Sequence, residues 1–296
     1  MAAPIEPSAT AGVTAAALSA TLPNALVGGY WQMWNGPKVS EVTTNAPGYN
    51  LLYAAFAVGS DKQGRVAFKP VFESGRALID DIAASKATTG ATWLLSIGGG
   101  ADRTIRLTTT AQANTMFNSL KPIIDTYGFQ GIDFDIECGS SCFKPSAGVT
   151  LANLLKNHYG NNFVIAAAPR PYEVRSSSGL YAQFALQAGA GLDLVTLQDF
   201  DFPEASDATK LAAIVDADLA SMTSMGIPAS KIMIGCITYS KYTAGHNTVD
   251  VYKNIFLTQK AKYPALRGVY LWELSFDKAD GWGFTRTMGP VVRGTA

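Results

Sequence analysis

The chain repeats one pattern of hydrophobic and polar positions along most of its length. A short run of apolar or β-branched residues is followed by a loop rich in glycine or polar residues, and then by a longer segment with helical spacing. The apolar runs are nearly continuous, which is typical of strands that are covered on both faces. They span residues 26–34, 51–58, 91–97, 131–136, 162–168, 192–198, 231–237 and 268–274.

Eight alternating β and α units within about 270 residues predict a single-domain (β/α)8 barrel, the TIM-barrel fold. The alternative is a doubly wound open sheet with a nucleotide site, which would need a glycine-rich turn after the first strand. Residues 31–42 match such a turn poorly. The glycines of SIGGG, residues 96–100, lack the patterns of phosphate-binding loops, so a tight turn is the simpler interpretation.

The first 25 residues differ from the rest of the chain. They are rich in Ala, Ser, Thr and Pro and show no strong period. We therefore expect residues 1–25 to be a flexible N-terminal segment and residues 26–296 to be the (β/α)8 catalytic domain. The apolar run at residues 11–20 has no preceding Lys or Arg, which does not fit a signal peptide, and no other run is long enough to span a bilayer.

Composition narrows the classes of partner. Apolar residues make up 48% of the chain and charged residues 16%, and the 23 basic and 23 acidic residues cancel. We expect a soluble globular protein with no affinity for nucleic acid or membranes, because no cluster of Lys or Arg occurs. The two histidines, His158 and His246, have no partner at ligand spacing, so we expect neither a metal ion nor another cofactor.

The chain has three cysteines. Cys138 and Cys142 bracket a short loop, where either a local disulfide or two free thiols would be consistent with the sequence. A disulfide would favour an oxidising compartment. Cys236 lies within an apolar run and is expected to be a buried thiol.

Three carboxylates alternate with apolar residues in the fourth run and directly after it. Because side chains in a strand alternate between its faces, Asp133, Asp135 and Glu137 share one face, opposite an apolar one. In a barrel the acids would point inward, with Glu137 at the C-terminal mouth, where active sites of this fold lie. At least one of these close carboxyls should have a raised pKa and serve as a general acid. Such a pair of acids suits glycoside hydrolysis, although a solvated strand face and a Mg²⁺ or Ca²⁺ site are alternatives.

The segment QGIDFDIE, residues 130–137, resembles the D-G-x-D-x-D-x-E signature of family 18 glycoside hydrolases, the chitinases and their relatives. LLSIGG, residues 94–99, resembles the family's S-x-G-G motif on strand three. The segments LVGGYWQMWNG, LLYAAFAV, AAAPRPYE, LDLVTLQDFD and GVYLWELSFD are similar to family strands one, two, five, six and eight. The resemblance covers residues 26 to about 290.

The resemblance implies a retaining mechanism in which the substrate's 2-acetamido group is the nucleophile, an exception to the usual scheme of two carboxylates. Glu137 would protonate the leaving oxygen and later activate water. Asp135 would hold the acetamido N–H and stabilise positive charge, and Asp133 would share a proton with it.

The resemblance also implies a set of sugar-binding residues. Trp272 would form the apolar floor of the pocket, and Gln198 would hydrogen-bond the sugar; core packing and a structural role are the respective alternatives. Tyr30 and Trp34 are further candidate platforms, with core packing an equal alternative for both and for Trp31. The remaining substrate-binding candidates are Trp31, Ser96, Gly98, Gly99, Phe200, Asp201 and Tyr239.

Two positions depart from the family pattern. Gln130 replaces the first Asp of the signature, and we expect this to remove an outer member of the acid relay and to alter the pKa of Asp133. Phe200 stands where family chitinases commonly have a Tyr whose hydroxyl aligns the acetamido carbonyl. One missing donor of this kind costs about 1 to 3 kcal/mol. Tyr239 is the candidate replacement for that hydroxyl.

Together these features predict an extracellular, endo-acting chitinase that is a monomer or one module of a larger assembly, with a carbohydrate polymer as its partner. The short loop after the seventh run, residues 238–250, predicts a shallow, open cleft. One alternative is an endo-β-N-acetylglucosaminidase that acts on peptidoglycan or glycoprotein glycans. Another is an inactive, lectin-like homologue, which would typically lack the final Glu of the signature.

Overall fold

The computed structural model describes residues 18–242 and 245–295. Within these residues, strands and helices alternate along the chain. The strands are β1 (Leu26–Gln32), β2 (Leu51–Gly59), β3 (Val66–Ala67), β4 (Thr92–Gly98), β5 (Gly131–Asp135), β6 (Val164–Ala167), β7 (Leu194–Leu197), β8 (Ile232–Cys236) and β9 (Gly268–Leu271). The helices are α1 (Val39–Asn45), α2 (Gly75–Thr89), α3 (Thr110–Tyr127), α4 (Pro145–Tyr159), α5 (Leu180–Ala188), α6 (Ala208–Ser224), α7 (Val249–Lys262), α8 (Leu274–Ala279) and α9 (Gly283–Arg293).

The strands close into a parallel barrel. Their order is β1-β9-β8-β7-β6-β5-β4-β2, and β2 pairs with β1 to complete the circle. The two-residue β3 pairs antiparallel with the end of β2 and lies outside this circle. Each of the eight predicted runs contains one barrel strand, so the predicted (β/α)8 fold is confirmed.

The helix before β5 shows how local sequence positions the acidic strand. Its buried residues, Ala113, Met116, Leu120 and Ile124, recur three or four positions apart and form one apolar stripe. The Thr109 side chain accepts a hydrogen bond from the backbone of Gln112 at the start of α3. Gly128 ends the helix with a left-handed backbone (φ 71°), which glycine adopts without steric cost. The chain therefore leaves α3 at Gly128 and enters β5 at Gly131.

Alternation along the strands produces two hydrophobic cores. An inner core fills the barrel and includes Leu26, Tyr30, Leu94 and Tyr270. An outer core lies between the strands and the helices and includes residues of the opposite parity, such as Trp31. The faces of the acidic strand follow the same rule, because Ile132, Phe134 and Ile136 belong to the outer core. The acids on the other face therefore point into the barrel.

Residues 18–25, the described part of the predicted N-terminal segment, contact the base of the barrel. Leu18 is fully buried, and the Ala20 amide donates to the Asn162 carbonyl at 3.1 Å. Arg267 donates to the Leu22 carbonyl at 3.1 Å. Residues 1–17 lie outside the described part of the chain. Among the helices that are described, none combines the length and hydropathy needed to cross a membrane.

The loop after β5 contains a disulfide between Cys138 and Cys142. Of the two alternatives that the sequence left open, the structure therefore has the local bridge. It closes a short turn directly after Glu137. Cys236 is a free, buried thiol on β8, as predicted.

Candidate active site

A cleft of about 800 Å³ opens at the C-terminal end of the barrel. Its walls come from the ends of the strands and from the loops that follow them, the usual place for active sites in this fold. The predicted site residues that line it are Asp135, Glu137, Gln198, Phe200, Asp201, Trp272, Gly98 and Gly99. Asp133, Ser96, Trp31 and Tyr239 are not part of this lining, and each has a different position in the fold.

Asp133 lies beneath the cleft, inside the barrel. It pairs in register with Ser96 of the neighbouring strand, and its side chain is fully buried. One carboxylate oxygen accepts hydrogen bonds from the Tyr30 hydroxyl at 2.8 Å and the Ser96 hydroxyl at 2.7 Å. Burial raises the pKa of Asp133 to about 6, and these two hydrogen bonds oppose that rise. Asp133 and Ser96 therefore lie below the cleft and do not line it.

Asp135 and Glu137 form the floor of the cleft above Asp133. The Gln198 amide donates to Asp135 at 2.9 Å, and the two carboxyl groups are close enough to share a hydrogen bond. Burial, followed by the charges of Glu137 and Asp133, raises the pKa of Asp135 well above its ordinary value. Burial also raises the pKa of Glu137. The expectation that at least one acid would have a raised pKa is confirmed.

Arg170, in the loop after β6, forms an ion pair with Glu137. This guanidinium opposes the effect of burial on the Glu137 pKa. The sequence gives no reason to select Arg170, although it lies in the segment AAAPRPYE that resembles the fifth family strand. The pairing depends on the convergence of two loops, which strand spacing does not predict.

Gly98 and Gly99 contribute through their backbone. Both have positive φ, 108° and 85°. A Cβ on Gly98 would lie 2.4 Å from the Asp135 carbonyl oxygen, and one on Gly99 would lie 2.7 Å from the Phe56 ring. The Gly99 amide also donates to the Asp135 carbonyl at 2.7 Å. These glycines therefore let the ends of β4 and β5 approach closely beside the acids.

Aromatic rings extend from the base of the cleft to its rim. Trp272 is half-buried, and its ring lies 5.7 Å from Phe56 in a stacked arrangement and 5.4 Å from Tyr30. Phe56 in turn stacks on Trp34 at 6.0 Å, and the Trp34 side chain is exposed at the rim. All four side chains line the cleft. Phe56 was not selected from the sequence, because an apolar residue in a buried strand looks like core.

Trp31 does not occupy the predicted position. It is fully buried in the outer core, and its indole nitrogen donates to the Pro37 carbonyl at 2.9 Å. Adjacent residues of a strand face opposite ways, so Tyr30 points into the barrel and Trp31 points away from it. Of the two alternatives for Trp31, sugar contact and core packing, the structure has core packing.

Tyr239 also lies elsewhere. Its ring stacks on Phe276 at 4.6 Å, outside the lining of the cleft. The neighbouring Tyr242 does line the cleft, and its hydroxyl donates to Asp201 at 2.9 Å. Phe200 also lines the cleft, and its ring makes a T-shaped contact with Tyr270 at 6.0 Å. Tyr242, rather than Tyr239, therefore brings a hydroxyl to the cleft, where it lies against Asp201.

Gln130 lies at the base of the barrel, at the start of β5. Its amide donates to the Ser19 carbonyl at 3.2 Å and accepts from the Trp93 amide at 3.3 Å. Gln130 has the parity of Ile132 and the outer face, opposite to that of Asp133. The expected loss of a member of the acid relay is therefore wrong. This residue instead joins β5 to β4 and the N-terminal segment.

The site supplies proton donors and acceptors on protein side chains. Within residues 18–242 and 245–295, no group of three or more His, Cys, Asp or Glu side chains has an arrangement that could hold a metal ion. A carboxyl of raised pKa lies beside a second carboxyl and next to an aromatic wall. This arrangement can donate a proton, stabilise positive charge and pack against the apolar face of a sugar.

Comparison with known proteins identifies the relatives of this chain. The family model described as glycosyl hydrolases family 18 matches residues 26–283. Chitinase Chi52 of Paenibacillus xylanexedens is 32% identical over 182 residues, which cover 56% of this chain and 34% of that protein. The chain thus spans about a third of the length of that relative.

Solved structures share the fold at lower identity. A family GH18 chitinase from Chromobacterium violaceum aligns with a TM-score of 0.77 and 22% identity, covering 94% of this chain and 86% of that one. A fungal endo-β-N-acetylglucosaminidase of family 18 aligns with a TM-score of 0.72 and 17% identity, covering 93% and 100%. Both likenesses concern the fold.

Proposed function

The chain belongs to family 18 of the glycosyl hydrolases, and on that premise we propose that it hydrolyses β-1,4-linked N-acetylglucosamine polymers such as chitin. The observation that supports this most is the vertical row of Asp133, Asp135 and Glu137 beneath an open cleft with an aromatic wall. Within this row, Glu137 can serve as the general acid, and the neighbouring Asp135 can stabilise positive charge. We further propose that the reaction retains the anomeric configuration.

In the proposed reaction, Glu137 donates its proton to the glycosidic oxygen as the bond to the anomeric carbon breaks. The carbonyl oxygen of the substrate's own 2-acetamido group attacks that carbon and forms an oxazolinium-like intermediate. Asp135, held by Gln198, accepts a hydrogen bond from the acetamido N–H and stabilises the positive charge. Water then attacks with Glu137 as the base, which restores the proton. Asp133 supports Asp135 from below as a partner in proton sharing.

The aromatic wall supports a sugar ligand. Trp272 and Trp34 present apolar ring surface to the cleft, and the C–H-rich face of a pyranose packs well against such rings. We assign Trp272 to the sugar at the cleavage point and Trp34 to a sugar nearer the rim. Gln198, Phe200 and Asp201 also line the cleft.

The shape of the cleft supports cleavage within a polymer. A second cavity of about 670 Å³ adjoins the first, and both are lined by Arg170, Gln198, Phe200 and Asp201. A glycan that lies across the acids could therefore extend in both directions. This favours endo action over removal of terminal units. The short loop after β8 is consistent with a groove that remains open.

Two alternatives concern the substrate and the class of protein. Because the acetamido group is the proposed nucleophile, peptidoglycan and glycoprotein cores also fit the mechanism. A glycan-binding protein without activity is less well supported, since Glu137 lies in the cleft next to Asp135. The disulfide after β5 supports an oxidising compartment, so we extend the proposal to an extracellular location.

A panel of polymers tests the proposal. Purified protein is incubated with chitin, peptidoglycan, an N-glycan and a de-acetylated glucosamine polymer, and the reducing ends released are measured. We expect the highest rate on chitin and none on the de-acetylated polymer. Binding to chitin without release from any polymer would reject the enzyme in favour of the binding protein. Preferential release from peptidoglycan or the N-glycan would replace chitin as the substrate.

A further inference from the structure

Arg170 occupies an unusual position for a cation, directly against the proposed general acid. Its guanidinium pairs with Glu137, and its other terminal nitrogen donates to the Tyr172 hydroxyl at 3.4 Å, a long contact. The Arg170 side chain is 35% exposed, whereas that of Glu137 is 12% exposed. Arg170 therefore lies between Glu137 and solvent, and its second hydrogen bond, to Tyr172, is weak.

Arg170 differs in charge from the other groups around Glu137, most of which are acidic. Asp135 adjoins Glu137, with Asp133 below; the loop after β6 adds the buried Glu173, and the loop after β7 adds the exposed Asp201. Tyr242, from the loop after β8, donates to Asp201, and burial, together with the charges of Asp201 and Glu137, raises its pKa. Arg103, from the loop after β4, bonds to the carbonyls of Gly100 and Asp102. Within the described residues, Arg170 is the cation in an ion pair with Glu137.

This ion pair conflicts with general acid catalysis. A guanidinium stabilises the carboxylate form of Glu137, whereas the acid must carry a proton to release the leaving group. The directions of the pKa shifts agree, since the pKa of Asp135 is raised well above its ordinary value and the Arg170 charge restrains the rise at Glu137. In the free protein, the proton of the hydrogen bond between Asp135 and Glu137 therefore resides on Asp135, and Glu137 is ionised.

Arg170 also lies where the substrate must pass. It lines both the cleft and the adjoining second cavity, at the boundary between them. A glycan that extends across Glu137 into the second cavity would have to occupy the space beside Glu137 that the guanidinium now fills. The sugar hydroxyls can accept the hydrogen bonds that Arg170 loses when it leaves the acid.

We propose that Arg170 is a positioning residue that keeps Glu137 ionised in the free protein and is displaced by the sugar on the leaving-group side, which rests on the function proposed above. On displacement, the O–H bond of Asp135 breaks and an O–H bond forms on Glu137, so no proton is gained or lost. Glu137 then donates that proton to the glycosidic oxygen. Asp135, now a carboxylate, faces the acetamido N–H. Substrate binding thus moves the proton to where the reaction needs it.

The first test follows Glu137 directly. The protein is labelled with glutamate that carries ¹³C at the side-chain carboxyl, and the Glu137 signal is assigned by its loss in Glu137→Gln. In the free protein, we expect Arg170→Met to raise the titration midpoint of Glu137 by about one pH unit. Arg170→Lys, which keeps a cation, should shift the midpoint less. Arg103→Met, which removes a cation from the same rim, should leave the midpoint unchanged. An unchanged midpoint in Arg170→Met would overturn the proposal.

The second test adds a ligand that spans both sides of the acid, an N-acetylglucosamine tetramer with sulfur in place of the glycosidic oxygen. We expect wild type and Arg170→Met to share one Glu137 midpoint in this complex, because Arg170 has left the acid. A difference as large as in the free protein would show that Arg170 stays paired and would overturn the displacement.

Kinetics provide an independent readout on hydrolysable oligomers. For Arg170→Met, the alkaline limb of kcat/KM should move up by about one pH unit, because this ratio reports the free protein. The alkaline limb of kcat, which reports the complex, should not move. Parallel movement of both limbs would contradict displacement. Failure to hydrolyse or bind any glycan would reject the proposed function and the displacement with it, while the free-protein titration would still decide whether Arg170 keeps Glu137 ionised.

Discussion

The acid row on β5 and a second cluster of carboxyls behind β7 have a similar composition but different access. The second cluster consists of Asp199, which follows β7, Asp218 of α6 and Arg175, which pairs with Asp218 at 2.5 Å. Both aspartates are fully buried, and burial raises the pKa of each. Neither aspartate lines the cleft, the adjoining second cavity or the cavity between α6 and α7.

The contrast shows that buried acids and raised pKa values do not by themselves define an active site. Asp199 has the outward parity of its strand, whereas its neighbours Gln198 and Phe200 line the cleft. A protonated Asp199 can donate to Asp218 and so join β7 to α6. We therefore assign the β7 cluster a structural role and the β5 row a chemical one.

The largest expected effect comes from matched changes of carboxyl to amide in the two clusters. Glu137→Gln removes the proposed acid and base, and we expect release of reducing ends from chitin oligomers to fall by about 10² to 10⁴-fold. Asp199→Asn should keep activity within about tenfold, because its amide can still donate to Asp218. Comparable losses in both variants would remove the distinction between the clusters.

Much of this contrast could be predicted from the sequence, because it depends on strand parity. The alternation in residues 131–137 placed the three acids on one inward face correctly. The same rule, applied to β1 and to the start of β5, would have placed Trp31 and Gln130 on the outer face. It was not enough to identify Arg170 or Tyr242, whose partners lie on other loops. Loop convergence depends on tertiary packing, which spacing within one strand does not encode.

A second prediction concerns the support beneath the acid row. Tyr30→Phe removes one of the two donors to the buried Asp133, and we expect the free energy of unfolding to fall by about 1 to 3 kcal/mol. Tyr53→Phe is the matched control, since its ring stacks on Tyr30 at 4.4 Å but its hydroxyl donates only a long contact, 3.9 Å, to the Met233 sulfur among the described residues. Urea denaturation of both variants measures the difference. Equal losses would show that the Tyr30 hydrogen bond to Asp133 adds nothing beyond what the weaker contact of the Tyr53 hydroxyl contributes.

A third prediction tests which hydroxyl serves the cleft. Tyr242→Phe should lower kcat/KM on N-acetylglucosamine oligomers by about fivefold, the scale of one hydrogen bond, because Asp201 loses its donor. Tyr239→Phe should have no effect, since that ring stacks on Phe276 outside the cleft. The opposite ranking would restore Tyr239 as the replacement for the family hydroxyl.

The smallest effect is a pH dependence of stability in the β7 cluster. A carboxyl whose native pKa is raised above its unfolded value contributes stability that is complete at low pH and is lost as pH rises through the native pKa. Burial raises the pKa of Asp199 well above 3.8. The free energy of unfolding of Asp199→Asn relative to wild type should therefore increase as pH rises above about 4. A difference that stays constant from pH 4 to 9 would contradict a titrating Asp199.

The anomeric configuration of the first product tests the account most directly. Proton NMR during the hydrolysis of an N-acetylglucosamine oligomer distinguishes the two anomers before they interconvert. Attack by the acetamido group followed by water on the opposite face predicts that the β-anomer forms first. Initial formation of the α-anomer would contradict the role assigned to the acid row of Asp133, Asp135 and Glu137.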